Sequence, residues 1–464
     1  MYILQNRWVL SDKQLLYYGL RNKKNMFRNR IKLTNRQAAV ISSLPKDLNE
    51  REKKCLGKLL GTQVVLSTEL RKTPRSVKEA TFCTKCAAND FIIPGLEFDA
   101  QGRCPMCQTE KETENLRSIV PLMEEIPRSK RSRFDAGLFY TGGKDSAFML
   151  YYLSKVKGLR VLAMTWEIPL FMSENAKKSV ENAKKAFSNV EFISRTVSRE
   201  DLRRVYRKLF ALSGNTCACP SLAYVLFYPE LVANRVPYFL AGNEPVQMLG
   251  LYYNHMAPKM AYSFADNKAL QIIVNIGRIL TLHPPLRRGQ FHTLATMRKL
   301  AYGGGPKNRL PYSNELVENV VEAIHAEPLF LPPLRGAIRR SSRSGNIPAF
   351  VHLDFDRICG GRYDWNSVKE ILIGECGWVA PEESGRGLHT SCNIEKCKEY
   401  TQFQRFYQCK SQMIPFSAIE ISLATRKRNL TREEATYEIE NLLGFSLDEI
   451  PEYRQMCEFV EKDV

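Results

Sequence analysis

Phe134-Asp-Ala-Gly-Leu-Phe-Tyr140, followed directly by Thr141-Gly-Gly-Lys-Asp-Ser146, decides the fold. The first seven residues read as a short buried strand: apolar, aromatic and free of proline. The next six form a tight Gly-rich turn. From Ser146 through Phe148, Met149, Leu150, Tyr152 and Leu153 the pattern is that of a helix with an apolar face. A strand that passes through two glycines into a helix N-terminus builds an anion site. Gly142 and Gly143 let backbone N–H groups approach a phosphate with no Cβ in the way. The helix start supplies further N–H donors and the positive end of a dipole. Lys144 adds a charge, and Thr141 and Ser146 add hydroxyls. The alternative is a turn that is Gly-rich for backbone reasons only. The spacing is not that of the Walker-type loop, which needs a longer glycine interval before Lys-Ser/Thr.

Outward from this stretch the chain alternates. Helix 146–156 leads to strand Arg160–Thr165, a helix around 175–187 to strand Val190–Ser194, and helices around 201–212 and 221–234 to strand Tyr238–Ala241. This predicts an α/β fold, a parallel sheet covered by helices on both faces. Ligands in such sheets sit beyond the C-terminal strand ends. Thr141–Ser146, Thr165–Glu167 and Gly242-Asn243-Glu244 fall there. Asn215-Thr-Cys217-Ala-Cys219-Pro220 carries two thiols one residue apart on a loop that opens a helix. A helix N-terminus lowers a thiol pKa, so Cys217 or Cys219 reads as a sulfur carrier, a nucleophile or a ligand; a loop of incidental small residues is the alternative.

Upstream, Cys83-Thr-Lys-Cys86 and Cys104-Pro-Met-Cys107 have the spacing of a four-thiolate zinc ribbon. Four thiolates leave no open position, so Zn²⁺ here would be structural. Redox dithiols or an iron–sulfur cluster are the alternatives. The chain divides in this reading into a basic N-terminal module at 1–80, an α+β extension that is winged-helix-like or simply packed on the enzyme, and a small zinc ribbon at 81–110. A linker at 111–133 follows, then the nucleotide domain at 134–345 and a Cys-containing, mostly helical region at 346–464. The linker ends in Arg128-Ser-Lys-Arg-Ser-Arg133, a solvated joint or an aid to phosphate or RNA. Lys268–Leu282 reads as a helix, and Gly303-Gly-Gly-Pro306 as a surface turn or a lid. Gly360-Gly-Arg-Tyr-Asp-Trp365 leads into a helix at Ser367–Ile373. His389, Cys392 and Cys397 form a possible second metal set, with Cys376 or Cys359 as fourth ligand.

The 464 residues are 44% hydrophobic and 25% charged, an ordinary globular composition. The charge balance is not ordinary: 68 Lys+Arg against 49 Asp+Glu gives +19. That excess favours polyanionic partners, either RNA or an anionic surface or substrate; a solvated basic surface on a nucleotide enzyme is the other reading. No segment reaches the roughly 18 apolar residues of a membrane span, and the N-terminus lacks the pattern of a secretory signal. A cytoplasmic location is expected, and with it thirteen cysteines that serve as metal ligands, catalytic thiols or buried thiols rather than disulfides.

The Thr141–Ser146 turn resembles the Ser-Gly-Gly-x-Asp-Ser signature of the PP-loop ATP pyrophosphatases, with Thr141 keeping the hydroxyl of the first serine. From about residue 80 onward the layout resembles the N-acetyl sugar amidotransferase branch of that superfamily. The two cysteine pairs with Phe98-Asp-x-x-Gly-x-Cys104 between them, the Cys217/Cys219 loop, Gly242-Asn-Glu-Pro245, Gly377-Trp378 and Thr431-Arg-Glu-Glu-Ala435 carry the match. Residues 1–80 and the high charge are departures from that branch. The resemblance implies a HUP-like, Rossmann-type sheet and cleavage of ATP between the α- and β-phosphates. It implies Gly142, Gly143 and Ser146 around pyrophosphate, Lys144 as its cation, Asp145 organising Mg²⁺ or the loop, and Asn243 and Glu244 facing substrate or metal. A carbonyl activated this way is displaced by nitrogen, with a sugar or other small molecule as acceptor and a partner glutaminase supplying ammonia. The alternatives are a sulfur transferase that thiolates tRNA or a small molecule, with Cys217 or Cys219 and a sulfur-donor protein, and a non-catalytic nucleotide-binding adaptor.

Overall fold

In the computed structural model, which describes residues 1–22, 30–61, 64–168, 171–214, 219–264, 266–304, 315–381 and 394–461, Ala136–Phe139 is the central strand, β1, of a five-stranded sheet. β2 (Val161–Glu167) and β3 (Val190–Thr196) lie on one side of it, and β4 (Tyr238–Ala241) and β5 (Ala349–Phe350) on the other. The order is β5-β4-β1-β2-β3, with every pairing parallel. All of β1 and the first five residues of β2 are buried. Strands covered on both faces carry such unbroken apolar runs.

Helices of the chain that carries this sheet include α1 (Lys144–Tyr151), α2 (Glu174–Ala186), α3 (Arg199–Ser213), α4 (Cys219–Ala233), α5 (Lys268–Leu280), α6 (Gln290–Tyr302), α7 (Glu315–His325), α8 (Leu331–Ser344) and α9 (Trp365–Cys376). Side chains alternate across a strand, and β1 shows it. Phe139 joins Leu162, Met164 and Phe239 in a core against Phe227 and Leu231 of α4. On the same face, a Cβ on Gly137 would lie 2.6 Å from Leu231 Cδ2, so glycine is what lets α4 sit so close. α9 packs on α1 and α2, α8 on α4 and α6, and α7 on α3.

The chain advances from β1 through β2 to β3, then returns to the far side of β1 as β4. The order reverses between β1 and β4, and the loops that leave those two strands diverge. Such a switch point is where open α/β sheets hold ligands. The sequence reading has four strands; the fifth was not legible because two residues show no periodicity. Tertiary partners define it: Ala349 N–H donates to Pro237 O at 2.9 Å, and the Phe350 ring stacks on Phe239 with centroids 4.9 Å apart.

The chain divides into two units: residues 115–249, 256–398 and 454–464 form the one just described, and 1–114, 250–255 and 399–453 the other. In the second, an antiparallel sheet of Trp8–Ser11, Gln14–Tyr17 and Arg30–Lys32 covers a core that includes Leu15, Val40, Ile41 and Val65. Helices there start on capping boxes, Thr34 with Gln37, Asn49 with Glu52 and Thr431 with Glu434. Arg7, 2% exposed at its side chain, donates to Gly95 O and the Glu97 carboxylate.

Two histidines make the fold acid-sensitive. Burial pulls His352 down to about 3 and His255 to about 4, from the ordinary 6.5. His352 Nδ1 pairs with Ser118 Oγ at 2.7 Å and His255 Nε2 with Gly19 O at 2.9 Å. Below pH 6.5 the unfolded chain takes up protons that these native rings refuse, so stability is full above 6.5 and is lost as pH falls toward 4. At pH 5 each ring is expected to cost about 2 kcal/mol. Denaturant unfolding at pH 7.5 and pH 5.0 checks this. The midpoint should fall, and His352→Asn should flatten the slope; an unchanged midpoint would refute it.

Candidate functional site

The turn after β1 is built as a cradle. Gly142 has φ +77°, and a Cβ there would lie 2.6 Å from Ala176 O of α2, so only glycine fits. Gly143 is the N-cap of α1, with extended backbone angles of −78° and 160°. The first intrahelical bond is Ala147 N–H to Gly143 O at 3.0 Å. The N–H groups of Lys144, Asp145 and Ser146 therefore precede the helical ladder, as expected of a helix start that receives an anion. The two hydroxyls hold the turn's shape. Ser146 Oγ donates to Gly143 O at 3.0 Å and accepts from Thr141 N–H at 3.2 Å, while Thr141 Oγ1 accepts from Gly143 N–H at 3.3 Å. Trp378 Nε1–H donates to Gly142 O at 3.0 Å.

Lys144 is only 2% exposed. Its ammonium donates to the Asp145 carboxylate and, at 3.2 Å, to Tyr363 Oη. It also lies 4.6 Å from the Tyr363 ring centroid and 4.7 Å from that of Trp365. A cation between two aromatic faces gains electrostatically from both. Tyr363 Oη donates to Asp145 Oδ1 at 2.7 Å, and Trp365 Nε1–H to Glu244 Oε2 at 2.7 Å. Burial, then the charges of Asp145 and Glu244, push the Tyr363 hydroxyl well above its ordinary value, so it stays a donor. Lys144, Asp145 and Glu244 form one charged network closed by two rings. In this state the lysine lies inside that network rather than at the mouth of the turn.

Gly242 belongs to the same construction: a Cβ there would sit 2.5 Å from Ser146 N and 2.7 Å from the Asp145 carbonyl carbon. The end of β4 thus rests on the start of α1. Asn243 is half-buried and Glu244 buried beside it. Thr165, at the end of β2, gives its hydroxyl to Tyr140 O at 2.9 Å and is buried; it braces the strand before the turn. Cys217 lies outside the described residues, as do His389 and Cys392. Cys219 is the first residue of α4, which opens at the sheet edge that carries the turn.

Tyr363, Trp365 and Trp378 are the site residues that the sequence reading did not assign. Gly360–Trp365 and Gly377-Trp378 are visible as loops, but nothing local says which turn they cover. Cys359 is pushed up to about 11 by burial and next by Asp356, partly offset by Lys144. It is a protonated thiol at neutral pH and a poor nucleophile.

In the other unit Cys83, Cys86, Cys104 and Cys107 are buried, and their four Sγ atoms lie within 4.8 Å of one another. Cys86 and Cys104 sulfurs are 3.6 Å apart. Tetrahedral bonds of about 2.3 Å to one ion separate thiolates by about 3.8 Å, so the set fits a single metal ion. A cubane cluster, with a separate iron under each thiolate, needs them wider. Lys85 and Cys104 N–H groups point at Cys83 Sγ from 3.4 and 3.3 Å, which favours its thiolate form. Thr84 N–H to Gly102 O, 2.9 Å, lays the two cysteine turns side by side, and Gly102 takes φ +72° to allow it. Arg432, at the start of α10 (Arg432–Asn441), donates to Cys83 O at 2.5 Å and covers the Phe82 ring. The motif Thr431–Ala435 therefore has two duties: Thr431 and Glu434 cap the helix, and Arg432 clamps the first cysteine turn.

The chain matches no family model, and no curated protein matches it in sequence. Among solved structures it is similar to the U34-tRNA thiolase NcsA from Methanococcus maripaludis, determined with its 4Fe–4S cluster. The identity is 16% and the TM-score 0.23, over 63% of this chain and 96% of that one.

Proposed function

We propose that this chain cleaves ATP to AMP and pyrophosphate at the Thr141–Ser146 turn, and that it uses the adenylate to activate a carbonyl for nitrogen transfer. The observation that supports this most is the cradle itself. A φ +77° glycine, a helix N-terminus and two hydroxyls converge at the switch point of a parallel sheet. The acceptor's carbonyl oxygen attacks the α-phosphorus. The bond from that phosphorus to the bridging oxygen breaks, and pyrophosphate leaves with the electron pair. Ammonia then adds at the activated carbon, the C–O bond breaks, AMP departs and a proton is released. Backbone N–H groups of Gly142–Ser146 bind pyrophosphate as its charge develops, and Lys144 adds positive field from within. Mg²⁺ would neutralise the phosphates; Asp145 is the adjacent carboxylate, and its link to Lys144 supports a part in organising both. Asn243 and Glu244 would face the acceptor or a metal, Glu244 from a buried position held by Trp365. The acceptor class is a sugar or other small molecule, with ammonia from a glutaminase partner. Zn²⁺ on the four cysteines would be structural, since a closed thiolate set leaves no open position.

A sulfur-transfer reading has two points in its favour: Cys219, two residues after Cys217 in the sequence, opens α4 at the sheet edge of the turn, and the chain carries a charge of +19. The test is to incubate the protein with ATP, ammonium and candidate acceptors and to quantify nucleotide products. AMP with pyrophosphate is expected; ADP with phosphate would overturn the proposal. Cys217→Ser and Cys219→Ser should each lower nitrogen transfer less than threefold. A thiolated product formed with a sulfide donor, and lost a hundredfold in either variant, would turn the reading to thiolation.

A further inference from the structure

Helix α5 is mounted inside out. An amphipathic helix ordinarily turns its apolar stripe to the core. Here the polar side chains face the protein and are fastened there. Gln271 Nε2 and Asn275 Nδ2 both donate to Leu286 O at 3.0 Å, and Asn275 Oδ1 accepts Leu286 N–H at 2.7 Å. Arg278 donates to Pro284 O at 2.8 Å and to Ser342 O at 3.0 Å. Most of the aliphatic side chains are left outside, with only Leu270 and Val274 half-buried: Ile272, Ile273, Ile276, Ile279 and Leu280 are 55–79% exposed. At 100° per residue these five, with Ala269, span an arc of about 120°. Just past the helix, Leu282 is 94% exposed and held at φ +56°. A leucine in that conformation is unusual, and it keeps the last apolar side chain on the outer surface.

The charge around this face is mainly basic; the exposed Asp266, just before the helix, is paired with Arg288. Residues 267–314 contain eight Lys or Arg and no Asp or Glu. Lys268 and Arg287 are exposed beside α5. Arg339, Arg340 and Arg343 are exposed on α8, whose Ser342 is bonded to Arg278. We infer that α5 is an interfacial helix that docks this chain, reversibly, on an anionic lipid surface. A broad aliphatic arc flanked by basic residues sinks into the boundary between headgroups and acyl chains, and each nearby Lys or Arg is drawn to anionic headgroups. The chemistry fits RNA less well, because nucleobases bind on aromatic rings and the exposed arc has none. It also fits a helical partner less well, because that uses a narrow seam with charges on its flanks. The inference is independent of the proposed ATP chemistry.

The test is flotation of the full chain with vesicles of 30% phosphatidylglycerol in phosphatidylcholine, against phosphatidylcholine alone, at 100 mM salt. Binding to the anionic vesicles is expected, at least tenfold stronger than to neutral ones. The double variant Ile276→Gln/Leu280→Gln should weaken it at least tenfold while leaving the melting temperature unchanged, because both side chains are already in solvent. No binding to anionic vesicles, or equal binding by the variant, would overturn the inference. So would a dimer by light scattering that Ile276→Glu dissociates, since the face would then belong to a second copy.

Discussion

Gly142→Ala is expected to lower the proposed pyrophosphate release from ATP at least a hundredfold and to destabilise the sheet-bearing unit by about 2–5 kcal/mol. Two penalties act together. The backbone sits at φ +77°, where a Cβ costs about 1–2 kcal/mol. That Cβ would also lie 2.6 Å from Ala176 O and 3.1 Å from Ala176 Cα. Both are backbone atoms of α2, so no rotamer change relieves the overlap, and the turn must move. Moving it misaims the N–H groups that would meet the β- and γ-phosphates, and an ångström of misplacement is enough to lose a hundredfold in rate. Gly143 is at ordinary angles, so Gly143→Ala carries no such backbone penalty and serves as the control for the unfolding readout alone. Steady-state pyrophosphate release together with urea unfolding gives both readouts. A Gly142→Ala variant with wild-type turnover would mean that this turn does not hold the phosphates.

Cys104→Ser is expected to remove the metal and lower the melting temperature by at least 10 °C. Cys104 is fully buried, and its sulfur is 3.6 Å from that of Cys86. Structural metal ions contribute folding free energy outright, on the order of 10 kcal/mol in small zinc domains. The residues held around this centre include Arg432, far along the chain, so the loss reaches beyond the two cysteine turns. Metal released from unfolded protein, counted against chain, should be one zinc for the wild type and none for the variant. Metal retained by Cys104→Ser would refute the four-ligand assignment, and a broad iron–thiolate absorption near 400 nm would replace zinc with a cluster.

The parts of the molecule that could be read in the sequence are those whose determinants are local. A strand, two glycines and a helix start occupy thirteen consecutive residues, Phe134–Ser146, and the structure keeps them together. The same holds for the two Cys-x-x-Cys pairs, whose sulfurs meet. What could not be read depends on distant partners. Lys144 reads as a phosphate cation because it puts a full charge next to the two glycines of the turn. Its burial follows from Tyr363 and Trp365, more than two hundred residues on. Thr165 stands at a strand end where ligands bind, but its hydroxyl finds the Tyr140 carbonyl first. Gly242 reads as a loop glycine near a ligand, whereas the atoms it makes room for belong to α1. The helix at Lys268–Leu282 is plain from its periodicity, but periodicity does not say that Gln271, Asn275 and Arg278 face inward.

The bond from Trp378 to the Gly142 carbonyl joins residues 236 positions apart. During synthesis the turn leaves the ribosome long before the indole that closes it. At about 5–20 residues per second the interval is roughly 10–50 s. The edge strand at Ala349–Phe350 arrives late as well. For that time β1 to β4 can pair, but the carbonyl of Gly142 must be satisfied by water, and Lys144 has Asp145 beside it without the two rings that bury it. Nascent chains arrested before residue 360 should therefore expose the turn to protease, and chains extended past residue 380 should hide it. Completion of the C-terminal third is thus the step that makes the cradle a finished object.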